Sequence, residues 1–159
     1  MNKICYNEKG DYMKKFYIVS VLTIIIDRIL KILASTFLTT KKLYIIKDFF
    51  YLVSTYNEGA AFSSFEGMTI LFIFIAICSL IYIFYYMKKY DVKSVGLALL
   101  AGGIIGNLID RIIYRYVIDF IGFEIGNYSL PIFNIAYIAI AMGAIVIMIG
   151  CEKNEVNSR

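Results

Sequence analysis

The sequence predicts an all-α membrane protein: four transmembrane helices with a small extracytoplasmic sheet. Three observations lead there. Hydrophobic residues make up 60% of the 159 and charged residues 18%, whereas a soluble domain is nearer half apolar and a quarter charged. Mean hydropathy is +0.74, more than one core hides, because a domain of this size leaves much of its surface wet. The apolar residues gather into runs approaching the roughly 20 residues that cross a bilayer core. A freely soluble enzyme and a disordered chain are both excluded.

The first span is expected near 16–37. Phe16 to Ile26 is apolar, and Asp27, Arg28 and Lys31 interrupt the second half of the span. It does not read as a cleaved signal peptide, because no small-residue cleavage site comes after the apolar stretch. Met13, with Lys14 and Lys15 next to it, resembles an alternative start. The expected organisation is therefore an extension at 1–12, a four-span domain at 13–151 and a tail at 152–159. Residues 43–56, LYIIKDFFYLVSTY, are β-branched and aromatic, which favours strands. A sheet lying on the outer bilayer surface explains the aromatics and the scarcity of charge; the plainer reading is a partly buried loop. The uncharged run MTILFIFIAICSLIYIFYYM gives a second span at 68–87. Small residues from Ser94 to Ile109 give a third near 94–113, and IFNIAYIAIAMGAIVIMIGC a fourth near 132–150.

Lys and Arg set the orientation. Nine lie in the N-terminal tail, the 88–93 loop and the C-terminal tail. Four (Lys41, Lys42, Lys47, Arg115) lie in the two longer loops between. Positive charge is retained in the cytoplasm, so both termini should be cytoplasmic, with 38–67 and 114–131 outside. A net charge of +4 is too modest to point to nucleic acid. With no histidine, His catalysis, His ligands and His pH switching are excluded. Cys5, Cys78 and Cys151 have neither metal nor disulfide spacing. No metal and no cofactor are expected.

Ionisable residues inside a span cost several kcal/mol, by estimates from about 2.5 upward. Asp27, Arg28 and Lys31 fall late in span one, and Asp110 and Arg111 late in span three. Asn107 lies one turn before Asp110 on the same face. Asp119 comes next, in VIDF, and Asn134 starts span four. Alone, Asp27 with Lys31 is an i,i+4 ion pair and Asp110 with Arg111 a helix end near headgroups. Together, at one outer depth, they suggest an assembled site. Gly59, in a turn beside Asn57, leaves room for a ligand or a neighbouring backbone. Gly102-Gly103-Ile104-Ile105-Gly106 holds a small-xxx-small pattern suited to close helix packing. A transporter or channel ranks low, because paired half-repeats are absent.

These motifs resemble the lipoprotein signal peptidases, signal peptidase II. The matching pieces run in order: Asp27 and Lys31 in DRILK, Asn57 to Phe62 in NEGAAF, GGIIGNLIDR at 102–111, VIDF at 117–120 and FNIA at 133–136. The resemblance implies a four-helix bundle with cytoplasmic termini and an extracytoplasmic β-cradle in the bacterial cytoplasmic membrane. It implies an aspartic endopeptidase that cleaves prolipoprotein signal peptides before a diacylglyceryl-modified cysteine, working as a monomer among membrane lipid. By resemblance, Asn57, Gly59, Asn107, Asp110, Arg111 and Asn134 form the substrate-binding set, and Asp119 is one of two catalytic aspartates.

The other aspartate is missing. The family motif FNxAD reads FNIAY here, with Tyr137 at the Asp position. No Asp occurs after Asp119; the later acids are Glu124, Glu152 and Glu155, the last two on the tail expected to be cytoplasmic. Arg28 also stands where the family usually has Gln. Two close carboxylates share one proton and divide acid and base roles; a phenol, with a reference pKa near 10, does not alternate that way at neutral pH. Three readings remain open. The chain binds lipid-modified precursors without cleaving them; it cuts with Asp119 and a displaced acid, Asp110 or Glu124; or Tyr137 departs from the chain's natural residue.

Overall fold

The computed structural model describes residues 2–59, 67–90 and 95–157, excepting the side chains of 2–12, 90 and 150–157. The chain is mostly helical with one small antiparallel sheet. α1 spans Asn2–Phe37, β1 Leu43–Ile46, β2 Phe50–Asn57, α2 Thr69–Tyr90, α3 Val95–Tyr114, β3 Val117–Ile125, β4 Tyr128–Ser129 and α4 Ile135–Asn157. Ala60, Ala61 and Phe62 of the NEGAAF motif, and Ser94 at the start of the third expected span, lie outside the described residues.

Three expectations shift. α1 begins at Asn2 rather than near 16, so the helical backbone continues through the expected extension. Its 36 residues rise about 54 Å at 1.5 Å each, well beyond a hydrocarbon core of roughly 30 Å. α4 begins three residues later than the apolar run. Phe133 is drawn into the sheet, where its N–H donates to Ile121 O at 2.8 Å and its carbonyl accepts from Ile121 N at 2.9 Å. Pro131 has no N–H to give a helix, and Asn134 then caps α4. The outer segment 114–131, expected only as a loop, carries β3, the longest strand.

The 43–56 segment does form strands, split by a turn in which Asp48 takes φ 57°, a left-handed conformation that Asp tolerates better than most residues. The sheet order is β1-β2-β3-β4, each pair antiparallel. The β2–β3 register is irregular between Leu52 and Thr55, where Ser54 N turns aside to Thr39 O at 2.9 Å. Beyond that irregularity Thr55 pairs with Asp119 and Asn57 with Val117.

Among the described residues, two helices are long and apolar enough to cross a membrane, Thr69–Lys89 and Val95–Tyr114; the apolar part of α4, Ile135–Ile149, is shorter. α3 is the central helix, packed by α1, α2 and α4. Small residues allow this. A Cβ on Gly103 would meet Ala136 O at 2.5 Å, and one on Gly106 would meet Asp27 Oδ2 at 2.7 Å. An apolar cluster of Phe16, Ile83, Leu97, Ala98 and Ala101 fills one end of the bundle. The polarity is inverted elsewhere: Ile18, Leu22, Ile70, Phe74 and Ile81 face outward, while Asp27, Lys31, Asp110, Asp119 and Asn134 are among the largest fully buried side chains. Outward apolar surface with paired charges inside suits a lipid solvent.

Candidate active site

The buried charges are organised around Lys31, which is 0% exposed. An ammonium has three N–H donors, and three oxygens surround this one: Asp27 Oδ2 at 2.7 Å, Asp110 Oδ2 at 2.8 Å and Asn107 Oδ1 at 2.8 Å. Asp110 is also paired with Arg28, whose guanidinium lies 5.7 Å from the Tyr114 ring centre. Two acids and two bases thus alternate across α1 and α3. A buried charge persists only when paired and hydrogen-bonded in this way.

The network reaches α4 through its unsatisfied N-terminal N–H groups. Asp27 Oδ1 accepts from Ala136 N at 2.9 Å, and Asn134 Oδ1 accepts from Tyr137 N at 2.9 Å. The second bond makes Asn134 the N-cap. Its Nδ2 turns the other way, to Asp119 Oδ1 at 2.7 Å and Asn107 Oδ1 at 3.1 Å. From β2, Asn57 Nδ2 donates to Asp119 Oδ2 at 2.9 Å, and Asn57 Oδ1 accepts from Gly59 N at 2.9 Å. Each carboxylate oxygen of Asp119 therefore has its own amide donor.

Asp119 is 2% exposed. Burial pushes its carboxyl up to about 6, against the opposing pull of the Asn57 hydrogen bond, the Lys31 charge, the Asn134 hydrogen bond and the Arg111 charge. At neutral pH it is still mainly ionised, and it titrates in the range where a general base is effective. Arg111 is buried as well. It donates to Gly59 O at 3.1 Å and lies 5.1 Å from the centre of the Phe72 ring.

Tyr137 sits on the first turn of α4. Its ring lines an almost wholly apolar cavity of about 330 Å³ with Phe123, Phe133, Ile138 and Met142. Its hydroxyl is buried and makes no hydrogen bond of ordinary geometry among the described residues. Asp119, Arg111 and Asp110 are the charged groups whose fields reach it. A guanidinium only donates, so Arg111 cannot take up the hydroxyl proton. Leaving such a donor unsatisfied costs about 1–3 kcal/mol.

All eight residues singled out from the sequence (Asn57, Gly59, Asn107, Asp110, Arg111, Asp119, Asn134 and Tyr137) join this one region through the contacts above. The displaced-acid readings fare differently. Both oxygens of Asp110 are committed to Arg28 and Lys31. Glu124 lies five residues along β3 from Asp119, about 17 Å at strand rise and on the opposite face. There Lys42 and then Tyr44 hold its carboxyl below the usual range. Asp27 and Lys31 form the centre of the network, although the sequence motifs did not place them in the substrate-binding set. Their i,i+4 spacing inside an apolar helix was the signal.

The chain is similar to known proteins along most of its length. Residues 19–152 match the family model described as signal peptidase (SPase) II. A lipoprotein signal peptidase of Clostridium tetani is 40% identical over 87% of this chain and 92% of its own length. One of Clostridium novyi is 38% identical over 83% and 93%. One of Listeria monocytogenes is 35% identical over 84% and 90%. A bacterial membrane enzyme solved by the in meso method at 2.3 Å resolution superposes with a TM-score of 0.81 at 32% identity, covering 91% of both chains. A second, at 1.9 Å, gives 0.76 at 32% identity over 86% and 91%. With the family model covering most of the chain, relatives similar along nearly its whole length and the same fold in a solved membrane enzyme, the chain belongs to the signal peptidase II family.

Proposed function

We propose that this protein removes signal peptides from diacylglyceryl-modified prolipoproteins at the outer face of the bacterial cytoplasmic membrane, more slowly than a site with two aspartates. The observation that carries the reading is Asp119, a buried carboxylate with one amide donor on each oxygen. Asp119 takes a proton from the attacking water. Arg111, Asn57 and Gly59 hold the substrate backbone, and Asn107, Asp110 and Asn134 keep these groups in place. Residues 13–151 form the working unit, with 1–12 an extension and 152–159 a tail. All four helices cross the membrane with both termini cytoplasmic, and the sheet rests on the outer surface. The partners are the lipid-modified precursor and bilayer lipid, and the protein acts as a monomer. With Tyr137 in place of a second carboxylate, the cleavage rate should fall by about 10²–10⁴-fold, the usual contribution of a general acid–base group.

A second reading is supported by Tyr137 itself: the chain retains lipid-modified precursors without cleaving them. A gel-shift assay on a purified diacylglyceryl-modified prolipoprotein decides between the two. Slow processing that requires Asp119 supports the first. Retention of intact precursor supports the second.

A further inference from the structure

We propose that the Tyr137 hydroxyl is a catalytic hydrogen-bond donor, supplying the electrophilic half of a one-carboxylate peptidase site whose basic half is Asp119. The inference rests on the cleavage reading above and says how one carboxylate suffices.

Three observations converge on this hydroxyl. It is buried, and although Arg111 approaches it as a donor, its own proton has no acceptor among the described residues. Its position is set by the same side chain that sets Asp119: Asn134 accepts from Tyr137 N at 2.9 Å and donates to Asp119 Oδ1 at 2.7 Å. Tyr137 lines the apolar cavity, and the charges of Asp119, Arg111 and Asp110 reach its hydroxyl, so the residue joins an apolar wall to the buried polar network. A fixed donor in a low-dielectric site acts on developing negative charge more strongly than water does.

The step balances without a second carboxylate. Ionised Asp119 takes one proton from water, and the water oxygen bonds to the scissile carbonyl carbon. The carbonyl oxygen becomes an oxyanion that accepts a hydrogen bond from Tyr137, which keeps its proton. When the intermediate collapses, the C=O re-forms and the C–N bond breaks. Asp119 then passes its proton to the leaving nitrogen and returns to the ionised form.

The pH profile is the signature. Among the described residues, the groups around Asp119 and Tyr137 are Lys31 from α1 with its partner Asp27, Asn57 from β2, and Asn107, Asp110 and Arg111 from α3, with Asn134 ahead of α4. The acids among them, Asp27 and Asp110, are tied to Lys31. Asp119 is the acid placed at the reacting centre, with an amide donor on each oxygen, and a phenol keeps its proton well past neutrality. Activity should rise through about pH 6 and stay level to about pH 9.

The test compares the full-length chain with Tyr137→Phe and Tyr137→Asp in detergent, using a diacylglyceryl-modified prolipoprotein. Cleavage rate and precursor binding are measured separately. Tyr137→Phe keeps the ring and loses the donor, so its cleavage should fall by about 10²–10³-fold, as when an oxyanion donor is removed, with binding unchanged. Tyr137→Asp should show a bell-shaped profile in place of the plateau, because a carboxylate pair works only while one proton is shared. A Tyr137→Phe rate within about threefold of the parent overturns the inference and leaves the cleavage reading standing, since loss of an oxyanion donor has a far larger effect. So does a parent profile that falls near neutral pH. A parent that binds precursor but never cleaves it overturns the inference and favours retention. A parent that does neither overturns the proposed function itself.

Discussion

Asn134 donates to Asp119 Oδ1 at 2.7 Å while its own carbonyl oxygen caps α4 at Tyr137 N, 2.9 Å away. One short side chain thus couples strand β3 to helix α4. Replacing it with alanine removes the cap, worth about 1 kcal/mol, and one of the two donors that keep the Asp119 carboxylate ionised. Asn134→Ala should lower the unfolding temperature in detergent and move the acid limb of any cleavage profile upward from about 6. An unchanged limb would show that Asn134 does not tune Asp119.

The Lys31 ammonium is the centre of the buried charge network, with Asp27 and Asp110 as its anionic partners. Lys31→Met keeps the apolar stem and leaves buried Asp27 without its cation, while Asp110 retains Arg28. Breaking a buried pair costs about 3–5 kcal/mol, so this variant should be strongly destabilised by thermal or denaturant unfolding in micelles. Lys41→Met, at an exposed position, should change little and serves as the control.

Restoring a carboxylate at 137 should raise precursor cleavage. Tyr137→Asp places an acid on the first turn of α4 beside Asp119, and a general acid–base group contributes about 10²–10⁴-fold. Adding Asp119→Asn should abolish the gain. A gel-shift time course reads both. If Tyr137→Asp gives no gain over the parent, the two positions do not form a working pair.

Stability should depend on pH through Asp119. Its folded carboxyl titrates at about 6, and an unfolded one near 3.9. Between those values the folded protein binds more protons. Stability therefore falls as pH rises from about 4 to about 6, by at most about 3 kcal/mol, and levels off above that. Thermal unfolding across this window should show the slope in the parent and a shallower one in Asp119→Asn.

Topology is tested with reporters. Nine Lys and Arg on one side against four on the other predict that a reporter within 88–93 or after Arg159 is cytoplasmic and one within 122–130 is external. A cytoplasmic reporter at 122–130 would contradict the proposed orientation.

Much of the architecture was legible because it arises from local composition. α2 and α3 fall within three residues of their apolar runs, since an uninterrupted apolar stretch in lipid must satisfy its backbone as a helix. The strands around Asp48 were visible in β-branched and aromatic composition. Two features were not. β3 reads as a connecting loop because its pairing partner, β2, lies some 60 residues earlier in the chain, and strand pairing is non-local. α4 starts late because Phe133 is claimed by Ile121, a contact that no hydropathy window registers.

The sequence by itself determined the membrane character and the family, because apolar run length and motif order are properties of the chain alone. The tyrosine at 137 is likewise read directly from FNIAY. Only the tertiary structure decided which charges satisfy one another. Lys31 gathers Asp27, Asp110 and Asn107, Asn134 divides its amide between α4 and Asp119, and the Tyr137 hydroxyl is left with no acceptor among the described residues. Those outcomes depend on how closely α1, α3 and α4 approach through Gly103 and Gly106. Electrostatic pairing in a buried site is set by distances of a few ångströms between elements far apart in the chain.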